Sequence, residues 1–189
     1  MYYEEYVISD THFNSHNTFN LGRKNKYLNV KEHDEAIIKN WNSVVGKNDV
    51  VYHLGDICEN LNLEQLKRIL ERLNGHKILI KGNHDKQSDE FYLKAGFEKV
   101  YNNFYQYNEK VILSHFPIPM DNNYFINIHG HLHNEKIELK NYFNANVDVN
   151  FFRPINIKIW SRQSNSLKML DQPFGKEWYR NSTKRVQTI

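Results

Sequence analysis

The sequence has a single cysteine, Cys58, among 189 residues, so an internal disulfide bond is excluded. Scarce cysteine is typical of proteins that work in a reducing compartment. No apolar run approaches the about 20 residues that a transmembrane helix needs. The acidic residues 1–5 also lack the pattern of a secretory signal peptide. We therefore expect a soluble cytoplasmic protein without a membrane partner.

Several other features are also missing. There is no internal repeat, no low-complexity linker, no Walker glycine loop and no Ser-His-Asp arrangement. The chain is 40% hydrophobic and 14% aromatic, which is enough for one domain over residues 1–189. Its C-terminal segment 154–189 is basic: residues 153–189 carry 8 Lys and Arg against 2 Asp and Glu. Such a segment is either a solvated terminus or an attraction for a polyanion.

The first half of the sequence alternates short apolar runs with segments of helical periodicity. Helices are predicted at about 31–45, 63–73 and 88–95, each followed by a glycine. Asn62 and Gln65 have the spacing of a capping box at the start of the second helix. Strands are predicted at 6–8, 49–54 and 78–80. This alternation favours parallel strands in a layered α/β fold.

Strands dominate the sequence after residue 97. They are predicted at 97–100, 104–107, 111–113, 125–128 and 142–149, while the alternating isoleucines at 155–159 fit either a strand or a helix. Residues 13–29 are predicted to form a polar loop. Two sheets with helices outside accommodate this number of strands.

Polar side chains of the same few types follow five of the predicted strands. These are Asp10 and His12, then Asp56, then Asn83, His84 and Asp85, then His115, and finally His131 and His133. A lone histidine after a strand is usually a packing or surface residue, but five repeats of the pattern weaken that explanation. Because ligands bind beyond the carboxyl ends of strands in open α/β sheets, we expect these groups to meet in one site.

The mixture of nitrogen and carboxylate donors predicts the cofactor. It suits Mn, Fe, Zn, Ni or Co better than Ca or Mg, which prefer oxygen. If one carboxylate bridges, the donors divide into two half-sites. Two ions about 3.5–4 Å apart hold the attacking and leaving oxygens of an in-line displacement at phosphorus, with a bridging hydroxide as the nucleophile. We therefore expect two divalent transition-metal ions, with Mn favoured.

The complete motif set resembles that of the calcineurin-like metallophosphoesterases. The motifs are Asp10-x-His12, Gly55-Asp56, Gly82-Asn83-His84-Asp85, His115 and Gly130-His131-x-His133, and they span residues 10–133. The resemblance implies a four-layer α/β/β/α sandwich with the site at the strand ends.

The resemblance also implies roles for the residues. Asp10, His12 and His133 would hold one metal ion. Asn83, His115 and His131 would hold the second, and Asp56 would bridge the two. His84 would be a catalytic residue that contacts the phosphate and aids the leaving group, and Asp85 would orient His84 through a hydrogen bond.

Two departures from the protein phosphatases of the superfamily indicate the substrate class. The first motif lacks their glycines, and Gly55-Asp56-Ile57-Cys58-Glu59 lacks their Asp-Arg-Gly, whose arginine grips a phosphomonoester. The Gly-His-x-His ending is similar to diesterase-type members and to small bacterial and phage members. We therefore predict a phosphodiesterase whose substrate is a phosphate ester of nucleotide or nucleic-acid type.

Alternatives remain open at this point. They are a DNA or RNA nuclease or end-processing enzyme, a phosphomonoesterase, and a non-catalytic binding module, which is disfavoured because no ligand candidate is missing. His16 and Arg23, in the polar loop after the first motif, are substrate-binding candidates. The alternative for both is a solvated loop.

Overall fold

The computed structural model describes residues 2–121 and 124–159, which form two β-sheets and four α-helices. The strands are β1 (Glu5–Ile8), β2 (Val50–His53), β3 (His76–Ile80), β4 (Lys99–Tyr101), β5 (Phe104–Gln106), β6 (Val111–Ser114), β7 (Ile126–His129), β8 (Tyr142–Asn144) and β9 (Ile155–Asn156). The helices are α1 (His16–Leu21), α2 (Val30–Asn42), α3 (Leu63–Arg72) and α4 (Asp89–Ala95), with 3₁₀ turns at Arg23–Asn25 and Val147–Val149.

Parallel strands make up most of both sheets. The first sheet has the order β4-β3-β2-β1-β9, in which only β9 is antiparallel to its neighbour. The second has the order β5-β6-β7-β8, in which β5 is the antiparallel strand. The carboxyl ends of β1, β2 and β3 therefore lie at one edge, and those of β6 and β7 share an edge of the second sheet.

The apolar strands are explained by burial of both faces of the first sheet. Successive side chains point to opposite faces, so Ile8 and Leu79 pack against the stripes of α2, α3 and α4, including Trp41. Val7 and Ile80 point the other way and pack against the second sheet. This two-sided burial requires the near-continuous apolar runs that the sequence shows.

The structure confirms the predicted mixed α/β sandwich of two sheets flanked by helices. The predicted capping box is present: the Asn62 side chain accepts from the Gln65 backbone N–H, and the Gln65 side chain accepts from that of Asn62. Helices α2, α3 and α4 pack on the first sheet. The basic segment lies outside the described residues from residue 160 onwards. No helix among the described residues is long and apolar enough to cross a membrane.

Two local predictions were wrong. Residues 13–29 are not a loop throughout, because the Ser15 side chain accepts from the Thr18 N–H and caps the short helix α1. The strand predicted at 142–149 ends at Asn144, because the Asn146 side chain accepts from the Asp148 N–H and turns the chain. Both differences come from side chains bonding to nearby backbone.

Leu79→Ala should destabilise the fold by about 2–5 kcal/mol, because Leu79 is fully buried in the central part of the first sheet and its loss leaves a cavity. Urea unfolding measures the change. Leu93→Ala, on the exposed side of α4, is the matched control and should change the unfolding free energy by less than about 0.5 kcal/mol. Equal effects of the two substitutions would contradict this assignment of the core.

Candidate metal centre

The ends of β1 and β2 are joined backbone to backbone at the centre of the candidate site. Asp10 N–H donates to the Gly55 carbonyl at 3.0 Å, and His12 N–H donates to the Asp56 carbonyl at 3.0 Å. Five of the predicted ligands have positive φ, a region that non-glycine residues rarely occupy: Asp10 (57°), His12 (48°), Asp56 (57°), His131 (68°) and His133 (48°). Strained backbone of this kind collects at functional sites.

Gly55 and Gly82 let the second and third motifs approach each other. Gly55 has φ 91°, and a Cβ there would lie 2.4 Å from the Gly82 backbone nitrogen. A Cβ on Gly82 would lie 2.2 Å from Asp56 Oδ1. The glycines of these motifs are therefore required by close packing beneath the donor groups.

Asp85 does not orient His84 through a hydrogen bond, contrary to the expectation from the resemblance. Its buried carboxylate accepts the backbone N–H groups of Asp56 at 2.7 Å, Gly82 at 2.8 Å and Ile57 at 3.1 Å. Burial raises the pKa of Asp85 to about 6, and these three hydrogen bonds act in the opposite direction. Asp85 therefore ties the loop after β2 to the loop after β3.

Glu59 is the carboxylate that lies beside His84 instead. Its Oε1 atom is 3.8 Å from His84 Nδ1 and 3.6 Å from His12 Nδ1. Sequence analysis missed Glu59, although its position three residues after Asp56 placed it in the second motif. His84 itself is 45% exposed, its ring centroid lies 5.3 Å from that of His12, and its backbone N–H donates to Asp56 Oδ1.

The first group of donors consists of Asp10, His12 and His133. One donor atom from each lies within 4.8 Å of the other two, and the His12 and His133 rings stack with centroids 5.5 Å apart. The structure thus brings together the three residues expected to hold one ion.

The second group contains Asp10, Asp56 and His115, with donor atoms again within 4.8 Å of one another. Asp56 Oδ2 lies 3.7 Å from His12 Nε2 and 3.5 Å from His115 Nε2. A single carboxylate oxygen therefore faces a nitrogen of each group, as a bridging ligand would.

Asn83 and His131 complete the second group. Asn83 Oδ1 is 2.9 Å from His115 Nε2, and the His131 ring centroid is 5.2 Å from that of His115. His115 Nδ1 donates to the Leu54 carbonyl at 2.8 Å, so in the neutral ring Nε2 is an acceptor. Two acceptors then face each other, and a cation bound to both removes their repulsion.

Unpartnered buried atoms show that the donors fit a divalent transition metal. Asp10 Oδ1 and His12 Nε2 are buried without a hydrogen-bond partner among the described residues. Burial lowers the pKa of His12 to about 2, so its ring is neutral and able to coordinate. Burial also raises the pKa of Asp10.

A hydrogen bond to Asp148 fixes the orientation of His133. Its Nδ1–H donates to Asp148 Oδ2 at 2.9 Å, which raises the pKa of His133 and leaves Nε2 for a metal ion. Arg23 donates to both Asp148 oxygens, at 3.0 and 3.1 Å. Sequence analysis assigned no role to Asp148.

Arg23 was predicted as a candidate for binding substrate, but its position in the structure does not leave it free to do so. It is buried, and its remaining N–H groups go to the Thr11 and Asp10 carbonyls and to His33 Nε2. All five donors of the guanidinium are used. His16, the other candidate, is the exposed first residue of α1.

The layered α/β fold and the Asp, His and Asn donors at its strand ends define a metal-dependent phosphoesterase. Comparison with known proteins agrees: the sequence model of the calcineurin-like phosphoesterase family matches residues 6–183. The chain belongs to this family, whose members hydrolyse phosphate esters with divalent metal ions.

Individual relatives extend the comparison without adding an activity. The uncharacterized protein MJ1445 of Methanocaldococcus jannaschii is 34% identical over 167 residues, which cover 82% of this chain and 87% of that protein. The Gene 66 protein of Mycobacterium phage D29 is 30% identical over 136 residues, covering 56% of this chain and 68% of that protein. The crystal structure of AQ665, a protein of unknown function from Aquifex aeolicus, superposes with a TM-score of 0.67 at 29% identity and covers 88% of this chain and 100% of its own.

Gly82→Ala should reduce metal binding strongly while Gly22→Ala should not. A Cβ at Gly82 displaces the Asp56 carboxylate and the His115 ring, whereas nothing lies within 4 Å of a Cβ at Gly22. Titration calorimetry with Mn²⁺ on metal-free protein measures stoichiometry and affinity, and we expect at least a tenfold weaker affinity for Gly82→Ala, in the range found when the surroundings of a metal site are changed. Unchanged binding would show that this packing does not position the donors.

Proposed function

We propose that the protein is a phosphodiesterase that uses two divalent transition-metal ions, with Mn favoured, to hydrolyse a nucleotide-like ester. The observation that carries the proposal is the position of Asp56 Oδ2, 3.7 Å from His12 Nε2 and 3.5 Å from His115 Nε2. A carboxylate oxygen so placed serves two half-sites at once.

Each half-site has its own set of residues. Asp10, His12 and His133 would hold one ion, and Asn83, His115 and His131 would hold the other, with Asp56 between them. When bound, two such ions neutralise phosphate charge and lower the pKa of water towards about 7. The protein supplies the alignment: Asp148 directs His133, and the Leu54 carbonyl directs His115.

His84 is suited to protonating the leaving oxygen. Its ring stands next to His12 and is partly exposed, so it can reach a substrate that His12 cannot. The bond from its backbone N–H to Asp56 Oδ1 ties its position to the centre of the site. The Glu59 carboxylate lies beside this ring, with its Oε1 atom 3.8 Å from His84 Nδ1.

The hydrogen bonds of Arg23 within the protein support a phosphodiester substrate over a phosphomonoester. A monoester dianion brings one more negative charge than a diester, and a free guanidinium is the usual partner for it. Arg23 reaches the centre, but its five donors are bound inside the protein. The half-exposed Phe116 ring, 4.4 Å from that of His131, adds an apolar surface that suits an ester group.

Bis(4-nitrophenyl) phosphate should be hydrolysed with a higher kcat/KM than 4-nitrophenyl phosphate at the same pH and Mn²⁺ concentration. Removal of metal with EDTA should abolish both activities, and Mn²⁺ should restore them better than Mg²⁺, because histidine-rich donor sets favour transition metals. Steady-state release of nitrophenolate measures both. A clear preference for the monoester would reverse the substrate class, and full activity of metal-free protein would exclude metal catalysis.

His84→Ala should lower kcat by about 10²–10⁴-fold, the usual contribution of a general acid, while both metal ions stay bound. The loss should be smaller for nitrophenyl esters than for alkyl esters, because nitrophenolate leaves without protonation. Metal content and kcat are measured on the same preparation. His76→Ala is the matched control, since His76 is exposed at the opposite end of β3. Loss of metal in His84→Ala would show that His84 is a ligand instead.

A further inference from the structure

A shallow pocket lies directly beside the candidate metal centre and is not part of it. Its volume is ≈ 400 Å³, and it is lined by Lys26, Tyr27, Asp148, Val149, Phe151 and Phe152. We call it the Phe151 pocket. Asp148 connects the two places, because it lines the pocket while its carboxylate accepts from His133 at 2.9 Å. Asp148 therefore lies between this pocket and His133.

Phe151 is held in an outward position that its own packing does not explain. Phe151 and Phe152 both have positive φ, 56° and 54°, which costs about 1–3 kcal/mol for each such residue. Phe152 is buried against Tyr27, with ring centroids 5.3 Å apart, whereas Phe151 is 78% exposed. The strained backbone therefore presents one aromatic ring to solvent.

The loop that carries Phe151 is well anchored. The Asn150 side chain donates to the Asn144 and Asn146 carbonyls at 2.9 and 2.8 Å, and the Asn40 side chain donates to the Phe151 carbonyl. The ring is thus presented from a fixed backbone, which reduces the entropy that a ligand loses on stacking against it.

Each of the two phenylalanine rings of this pocket has a cation beside it. Lys26 Nζ lies 4.8 Å from the centre of the Phe152 ring, and the Arg153 guanidinium lies 5.7 Å from that of Phe151. Besides the buried Arg23, residues 13–31 contain three Lys and no Asp or Glu. The Asp148 carboxylate in the pocket is already paired with Arg23 and His133. The charge of the pocket therefore suits an anion.

We propose that the Phe151 pocket binds an unpaired nucleotide next to the phosphodiester that is cleaved, in a single-stranded nucleic acid. The base stacks on Phe151, and the adjoining phosphate lies against Lys26 and Arg153. An exposed aromatic ring among cations is the usual platform for single strands, since every base has a face to stack. Paired bases in a duplex have both faces occupied. This proposal rests on the proposed function, because it extends that site along the substrate.

The test is fluorescence anisotropy with a 5′-labelled 12-nucleotide oligothymidylate in EDTA, where metal-dependent cleavage is prevented. Phe151→Ala in the full chain should weaken binding about tenfold, the scale of one base–aromatic contact. Lys26→Ala should reduce the slope of log affinity against log salt concentration by about 0.7, the value for one phosphate of a single strand. Leu93→Ala and Lys47→Ala are the matched controls and should bind like the unsubstituted protein. Thermal melting checks that every variant is folded.

Three results would overturn the proposal: no binding of the oligonucleotide by the unsubstituted protein, equal binding by Phe151→Ala, or equal affinity for a 12-base-pair duplex. These outcomes are separable from failure of the proposed function, which is judged by hydrolysis of bis(4-nitrophenyl) phosphate by the unsubstituted protein. Hydrolysis without oligonucleotide binding rejects only the pocket. Binding that depends on Phe151 without any hydrolysis rejects only the phosphodiesterase.

Discussion

The carboxylate of Asp85 holds together the two loops on which the metal centre is built. It accepts backbone N–H groups from Gly82, Asp56 and Ile57, and so fixes the end of β2 against the end of β3. The close approach of Gly55 and Gly82 is possible only in this arrangement, and it sets the direction of the Asp56 carboxylate. Because Asp56 faces both donor groups and also accepts the His84 N–H, the positions of ligands and of the candidate acid depend on the same buried contact.

The candidate metal centre contains features that lower local stability. Several donors occupy strained backbone at positive φ, and Asp10 Oδ1 and His12 Nε2 are buried without hydrogen-bond partners in the part of the chain that the structure describes. Strain and unpaired buried atoms each cost free energy. They persist because the parallel strands and the two apolar cores hold the strand ends from below. A divalent cation held by these residues would offset the cost of the unpaired atoms.

Positively charged side chains serve two different purposes near the candidate metal centre: one is buried and structural, and others lie at the surface beside the Phe151 pocket. The Arg23 guanidinium donates all its hydrogen bonds inside the protein, where it links Asp148 to the Asp10 and Thr11 carbonyls. Asp148 in turn sets the tautomer of His133. The cations near Phe151 lie outside this network, at the surface. Residues 23–26 thus contribute both the buried Arg23, which supports the candidate metal centre, and Lys26, which lines the neighbouring Phe151 pocket.

The sequence by itself determined the candidate donor residues, the parallel strands of the first sheet and the capping box of α3. Each of these is encoded over a few residues: an apolar run followed by polar side chains, or Asn62 three residues before Gln65. Only the tertiary structure decided what those side chains contact. Asp85 accepts hydrogen bonds from backbone N–H groups, and Glu59 lies beside His84. Both contacts depend on how the loop after β2 meets the loop after β3. Arg23 and Asp148 are 125 residues apart, and no local pattern indicates their pairing. Helix α1 was not predicted, because its six residues are too few to show the periodicity of apolar side chains that indicates a helix. Local spacing encodes which groups reach a strand end, whereas contacts between distant segments decide which way each group points.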